Sequence, residues 1–494
     1  MKKIMLLFIV VAILLFSNTQ GITHGINKKE NLRMRTKNIQ NNVKEWTFMF
    51  YDDADFYRAG DPLEDFANSA YSGNNLNVIV LQDTESGPAR IWYITNNHKK
   101  VLLEELGEVN MGSYQTLRDF IEYSKTKYPA NRYIIALYDH GYGWMGACTD
   151  DTSNDLLSME EMRKAITETG KVDIICFTAP CEMAAIESVY ELKDCTDVYI
   201  GSEAGSTYYC WKDIVDDICW YLNYKIDMNN TEIGRNIIKL IELQSKYWPS
   251  TLKRKFTMSA IRTDKMQKLG EALKSLTNAF INDFNNSYES VWSAYEISQK
   301  IDIDLLDFYN FAESCLSFVE NQSIREKLEH VMKCLEEAII QECHGVYYPN
   351  SHGLSIYFPD SIWNYSIYYS WQLRFNNDTD WDYFLHTYFY GKPVVKIKDI
   401  KGDFGKIVVV LSNDGKKDAE NVKWWFNVDG PNLLFGRKNY TGVASIPGET
   451  VINIKSDFTF GFGQISVKAS LGTHSKRVGY GYIIGPLIIV HSWG

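Results

Sequence analysis

Apolar residues along this chain fall into two kinds of run. Near-continuous blocks occur at Trp46 to Tyr51, Leu76 to Leu81, Tyr133 to Tyr138, Asp173 to Thr178 and Val198 to Gly201. Between them lie longer stretches in which apolar positions recur every three or four residues. Short continuous blocks read as strands buried on both faces, and the wider spacing reads as amphipathic helix. Helices are expected over Leu63 to Tyr71, Tyr114 to Tyr128, Met159 to Thr169 and Met183 to Lys193, and long helical patterns fill 231–245, 265–285 and 305–343. A hairpin is expected through Arg90 to Thr95, and further strands at Phe256 to Ile261 and Leu354 to Phe358. Strand and helix in turn predict an α/β fold, a mostly parallel sheet with flanking helices. In such sheets, active sites gather at the carboxyl ends of the strands.

The texture changes after Pro393. Short strand patterns follow at Val394 to Ile397, Lys406 to Leu411, Val422 to Val428, Thr450 to Lys455, Gln464 to Ala469 and Gly481 to Val490, separated by turn residues such as Gly430-Pro431 and Pro447-Gly448. No helical period occurs. That pattern predicts an all-β, immunoglobulin-like sandwich over 394–494.

At the N-terminus, Lys2 and Lys3 precede an apolar run from Ile4 to Phe16, too short to span a bilayer, which needs about 20 residues. This reads as a signal peptide over 1–21, with an uncleaved anchor as the alternative, followed by a polar spacer over 22–44. A secreted or cell-surface location is therefore expected, with membrane contact only through that segment if it is retained. The net charge of −11 and the lack of a basic run exclude an ordinary nucleic-acid partner. Nine cysteines, an odd number, leave at least one thiol unpaired within a monomer.

Two strand ends carry chemistry. One buried block, Tyr133 to Tyr138, runs into Asp139-His140-Gly141-Tyr142-Gly143-Trp144. A second, from Asp173, runs into Ala179-Pro180-Cys181 before an expected helix. If those strands are neighbours, a thiol and an imidazole meet at one sheet edge, the pairing a Cys nucleophile needs. A helix start just after Cys181 would favour its thiolate. Taken singly, a His after a strand or a Cys near a helix start is more often structural than catalytic. No histidines stand at zinc-ligand spacing.

Further motifs line up in order: Trp46 to Tyr51 with Asp52 to Asp55, Asn110-Met111-Gly112, Tyr128-Pro-Ala-Asn-Arg-Tyr133, His140-Gly-Tyr-Gly-Trp144, Glu187 six residues after Cys181, Gly201-Ser-Glu203, and Gly353-Leu-Ser-Ile-Tyr-Phe-Pro359. This series resembles the clostripain family of cysteine peptidases over about 45–390, and the resemblance implies a caspase/gingipain-like fold. It also implies protein or peptide substrates, Cys181 as nucleophile, His140 as general acid/base, and an oxyanion hole from the Gly141 and Cys181 backbone N–H groups. Chemistry of this kind requires no cofactor, although some members of the family need calcium. Asp52, Asp53 and Asp55 could ligate it, or be solvated turn acids. Asp150, Asp151 and Asp155 pose the same choice, with capping of a helix at Ser158 as the alternative.

One departure bears on specificity. The family carries an Asp two residues before the nucleophile, in the S1 pocket, where this chain has Ala179. Loss of that carboxylate makes cleavage after Arg or Lys doubtful. Glu182 and Glu203 are the acids available to replace it, and Ala179 and Glu203 are the expected pocket residues. An inactive homologue that binds rather than cleaves is the alternative function. A structural surface protein is a third reading, and it leaves the Cys and His strand ends unexplained.

Overall fold

The computed structural model describes residues 43–55, 62–206, 209–212, 214–369, 373–391, 393, 395–413, 415, 417–430, 432–471 and 475–492. The expected signal segment and the spacer up to residue 42 lie outside them. The strands of the first part are β1 Lys44–Ala54, β2 Leu76–Thr84, β3 Ala89–Ile94, β4 Lys100–Gly107, β5 Ala130–Tyr138, β6 Gly146–Asp150, β7 Asp155–Ser158, β8 Ile174–Phe177, β9 Val198–Gly201, β10 Thr257–Arg262, β11 Leu305–Asp307, β12 Ile339–His344 and β13 Ser355–Tyr357.

Nine of these strands form one sheet in the order β12-β10-β9-β8-β5-β1-β2-β3-β4. The run from β9 to β2 is parallel, and each flank is antiparallel. The sheet is thus mixed, with a parallel centre. Side chains alternate across it. Met49, Tyr51, Ile135, Leu137, Ile175 and Phe177 enter a core on one face. Trp46, Phe48, Phe50, Ile134, Ala136, Ile174 and Cys176 enter a separate core on the other. Two apolar faces explain why these blocks carry no polar alternation.

Helices cover both faces. Tyr114–Lys127, Met159–Thr169 and Met266–Asn282 supply residues to the first core. Val215–Tyr224 and Asn230–Ser245 supply the second. The Met159 helix opens with the capping box expected there: Ser158 accepts from Glu161 N, and the Glu161 carboxylate reaches back to Ser158 N at 3.1 Å.

Three expectations change. The helical pattern over 305–343 is broken into strand β11, helices Phe308–Phe318 and Gln322–Ala338, and strand β12. Asn321 caps the second of these helices by accepting from Ser323 N and Ile324 N. Residues 305–307 instead pair with β13, so the strand expected near Leu354 joins a small two-stranded sheet rather than the main one. The helix expected from Met183 begins only at Ile186.

The C-terminal region is all β. A three-stranded and a six-stranded antiparallel sheet enclose a core that includes Ile400, Leu411, Phe426, Val467 and Ile483. The block expected as one strand over 481–490 is a hairpin, Ser475–Gly485 and Leu487–Ser492, turning where Gly485 takes φ +66° before Pro486. Among the described residues, no helix is long and apolar enough to cross a membrane.

Candidate active site

The strands that lead to His140 and Cys181 are neighbours. β5 and β8 run parallel with Leu137 opposite Phe177, and both Thr178 N and Thr178 Oγ1 donate to Leu137 O, at 2.9 and 2.8 Å. Their carboxyl ends therefore emerge side by side. Beyond them the two chains touch. A Cβ at Gly141 would lie 2.4 Å from Cys181 O and 2.6 Å from Cys181 N, so only glycine allows this approach. The segments holding His140 and Cys181 meet backbone to backbone, with the His140 ring exposed and Cys181 half-buried.

Both segments are pinned from behind. Cys148 N donates to His140 O at 3.1 Å, and Tyr142 N to Gly146 O at 2.9 Å. Asp139 is buried, and its Oδ2 accepts from Thr149 N at 2.5 Å. Trp144 packs edge-on against Tyr357 and Tyr369, with ring centres 5.7 and 5.2 Å away. On the other side, Glu182 N donates to Ala204 O at 3.1 Å and Ala184 N to Ser202 O at 2.8 Å. Glu187, in the helix Ile186–Glu191, accepts from Tyr357 N at 2.9 Å and Tyr369 Oη at 2.7 Å.

Around Cys181 the electrostatics differ from expectation. The six-residue helix begins at Ile186, beyond a turn, so no helix terminus bears directly on the thiol. Burial pushes the Cys181 thiol up, and the carboxylates of Glu182, Asp302 and Asp139 push the same way. Ser206 N, which donates to Cys181 Sγ at 3.3 Å, opposes them.

The two expected pocket residues part company. Ala179 sits partly buried against the second core. Glu203 is buried. Its carboxylate accepts from Gly353 N at 3.0 Å and from Ser351 Oγ, next to Asp307. The turn at 202–204, folded under residues 182–184, carries it inward. The acid beside the nucleophile is Glu182, held at φ +64°. Burial and a hydrogen bond with Asp302 push its carboxyl up to about 8.

The sequence profile of the clostripain family matches residues 47–388. The chain belongs to the clostripain family. Clostripain of Hathewaya histolytica is 28% identical over 208 residues, 34% of this chain and 39% of that protein, so the match spans well under half of the curated relative. The structure of a secreted C11 cysteine protease from Bacteroides thetaiotaomicron, in complex with an irreversible peptide inhibitor, is 16% identical with a TM-score of 0.54, covering 69% of this chain and 100% of that one. An inactive zymogen C11 protease from Parabacteroides distasonis is 18% identical with a TM-score of 0.53, covering 68% of this chain and 98% of that one. At these identities the structural likeness is one of fold.

This clostripain-family chain also gathers acids next to the cysteine–histidine pair. Asp52, Asp53 and Asp55 are not solvated turn acids, as one reading allowed, because all three are fully buried. Asp52 Oδ2 accepts from Gln82 Nε2 at 2.9 Å. Asp150 is buried as well, while Asp151 is exposed. Asp155 holds Asn110 Nδ2 at 2.7 Å. The two acid runs converge, and they meet Glu108, which carried no signal in the sequence beyond lying two residues before Asn110-Met111-Gly112. Among the described residues the eight cysteines are free thiols, and all but Cys181 are buried.

Proposed function

We propose that this chain is an exported cysteine endopeptidase. The observation that carries the reading is the backbone contact of Gly141 with Cys181 at the carboxyl edge of β5 and β8, within a chain of the clostripain family. His140 takes the Cys181 proton. The thiolate sulfur then forms a bond to the scissile carbonyl carbon, and the C=O π pair moves to oxygen. Donors from Gly141 N–H and Cys181 N–H stabilise that oxyanion. Collapse breaks the C–N bond, and the departing amine takes the proton held by His140. A water then gives its proton to His140 and attacks the thioester, which releases the acid and restores the thiol.

Specificity for Arg or Lys at P1 is weak in this reading, because Ala179 supplies no charge. Glu182 is mostly protonated at neutral pH, so it replaces little of that charge. The C-terminal sandwich is an immunoglobulin-like module. Export follows from the N-terminal Lys2-Lys3 and apolar run.

Peptide-library cleavage by the purified chain, beside Cys181→Ala, tests the proposal. Cleavage lost in the variant, with P1 not dominated by Arg or Lys, supports it. Equal cleavage by both proteins refutes the nucleophile, and no cleavage by either favours the inactive, binding homologue.

A further inference from the structure

The two ends of the C-terminal sandwich differ in surface. The chain enters at Val395, and the strand Val395–Asp403 runs about 25 Å to the far end, at ~3.3 Å per residue. At the entry end, the connections 414–418 and 447–449 hold no large apolar residue. The far end is built from four segments that do: the turn after Asp403, the strand Asn432–Phe435, the connection 456–459, and the turn at Gly485-Pro486. Phe404, Leu434, Phe435, Phe458, Ile484 and Leu487 stand there 49–70% exposed. Exposed apolar residues are ordinary when scattered, but gathered on one end of a domain they mark a contact surface.

The four segments are tied to one another, so the cluster is held in place. Gly405 N donates to Pro486 O at 2.6 Å and Thr459 N to Gly405 O at 2.8 Å, while Phe404 bridges to Leu487. The strand Asn432–Phe435 pairs with Phe460–Leu471, and the Phe460 ring meets Phe435 and Phe462 edge-on, with centres 6.3 and 5.7 Å away. Gly405, at φ +64°, lets the Phe458 ring close over the turn, since a Cβ there would lie 2.5 Å from it.

Charge says what kind of partner fits. Residues 394–494 carry 13 Lys and Arg against eight Asp and Glu, on a chain that carries 51 against 62. Arg437, Lys438 and Lys455 are exposed beside the cluster. Two of them also meet acids, Arg437 at 3.1 Å from Asp457 and Lys455 at 3.9 Å from Asp403. Tyr482 and Tyr480 follow Ile484 back along the strand Ser475–Gly485, on its exposed face. Apolar tips followed by tyrosines and flanked by basic residues suit a bilayer surface, where tyrosine sits at headgroup depth and Lys and Arg meet anionic lipid. We propose that the far end of the sandwich docks on an anionic lipid bilayer, with Phe404, Phe435, Phe458 and Leu487 entering the acyl boundary. This contact is separate from the N-terminal segment, through which alone the sequence reading allowed membrane contact, and it does not rest on the peptidase reading.

Vesicle sedimentation tests this with the chain lacking residues 1–21, so that the N-terminal apolar run cannot partition by itself. Vesicles of phosphatidylglycerol and phosphatidylcholine in equal parts are expected to carry the chain down, with binding to pure phosphatidylcholine about tenfold weaker or more. Phe404→Ser/Phe435→Ser/Leu487→Ser is expected to lower the affinity about a hundredfold, with the unfolding midpoint unchanged because the three side chains are exposed. The apolar exchange Phe404→Leu/Phe435→Leu/Leu487→Phe is expected to keep it. No binding to the anionic vesicles, equal binding to the two lipids, or equal binding by the wild type and the serine variant overturns the proposal. So does a dimer in the absence of vesicles that the serine variant disperses, which would make a second copy the partner.

Discussion

Neighbouring halves of one sheet edge are built in different ways. At the ends of β5 and β8 each group has at least one protein donor: Asp139 Oδ2 takes Thr149 N, Cys181 Sγ takes Ser206 N, and Glu203 Oε2 takes Ser351 Oγ and Gly353 N, while Asp139 Oδ1 and Glu203 Oε1 are buried without one. At the ends of β1 and β2 several carboxylate oxygens are buried without a donor. Residue type alone does not distinguish the halves, since Glu203 and Asp55 are both buried acids at strand ends. What differs is Asp53, where both carboxylate oxygens are buried without a side-chain or backbone donor.

The predictions probe that division. His140→Ala is expected to lower kcat about 10²–10⁴-fold, the range for loss of a general acid/base, while leaving the unfolding midpoint unchanged. A fall in the midpoint together with activity would merge the halves. Gly141→Ala drives a methyl group into the Cys181 backbone. Its expected effect is a fall of about 10² in kcat/KM, as for a misplacement of about 1 Å, with some loss of stability. Alkylation of Cys181 by iodoacetamide is expected to keep accelerating as pH rises past 9, because burial and nearby carboxylates hold the thiol above its ordinary value of 9.0. Glu182→Gln removes one of those carboxylates and should speed alkylation several-fold at pH 9. A plateau reached by pH 7 would show an activated resting thiolate instead. Smallest is Ser158→Ala, which removes the cap behind both halves and should cost about 1 kcal/mol by chemical denaturation.

Much of this arrangement was legible in the sequence, and the failures share a cause. Trp46 to Tyr51 and Tyr133 to Tyr138 read as strands buried on both faces, which they are, because continuous apolar character reports two covered faces. His140 and Cys181 were readable as strand-end residues, and the rule for parallel sheets placed them on one edge. The burial of Glu203 was not readable, because a position at a strand end does not say which way the next turn folds. Glu108 was missed because three segments, separated by tens of residues, bring it to Asp55 and Asp150. The pattern over 305–343 misled because the short segments at its ends, Leu305–Asp307 and Ile339–His344, carry too little information to show that they pair with β13 and β10.

The stretch from His140 to Asp150 is also a ruler. It is short, it crosses from one half of the edge to the other, and β6 is fixed against β7 in antiparallel register with an irregularity between Ala147 and Thr149. One residue inserted there would move the acid end by about 3.3 Å and turn each following side chain to the opposite face, with every original residue still present. The length of this stretch, as well as its composition, therefore belongs to the design of the edge. A homologue with the same residues but a different count between the two positions is expected to keep one half and lose the other.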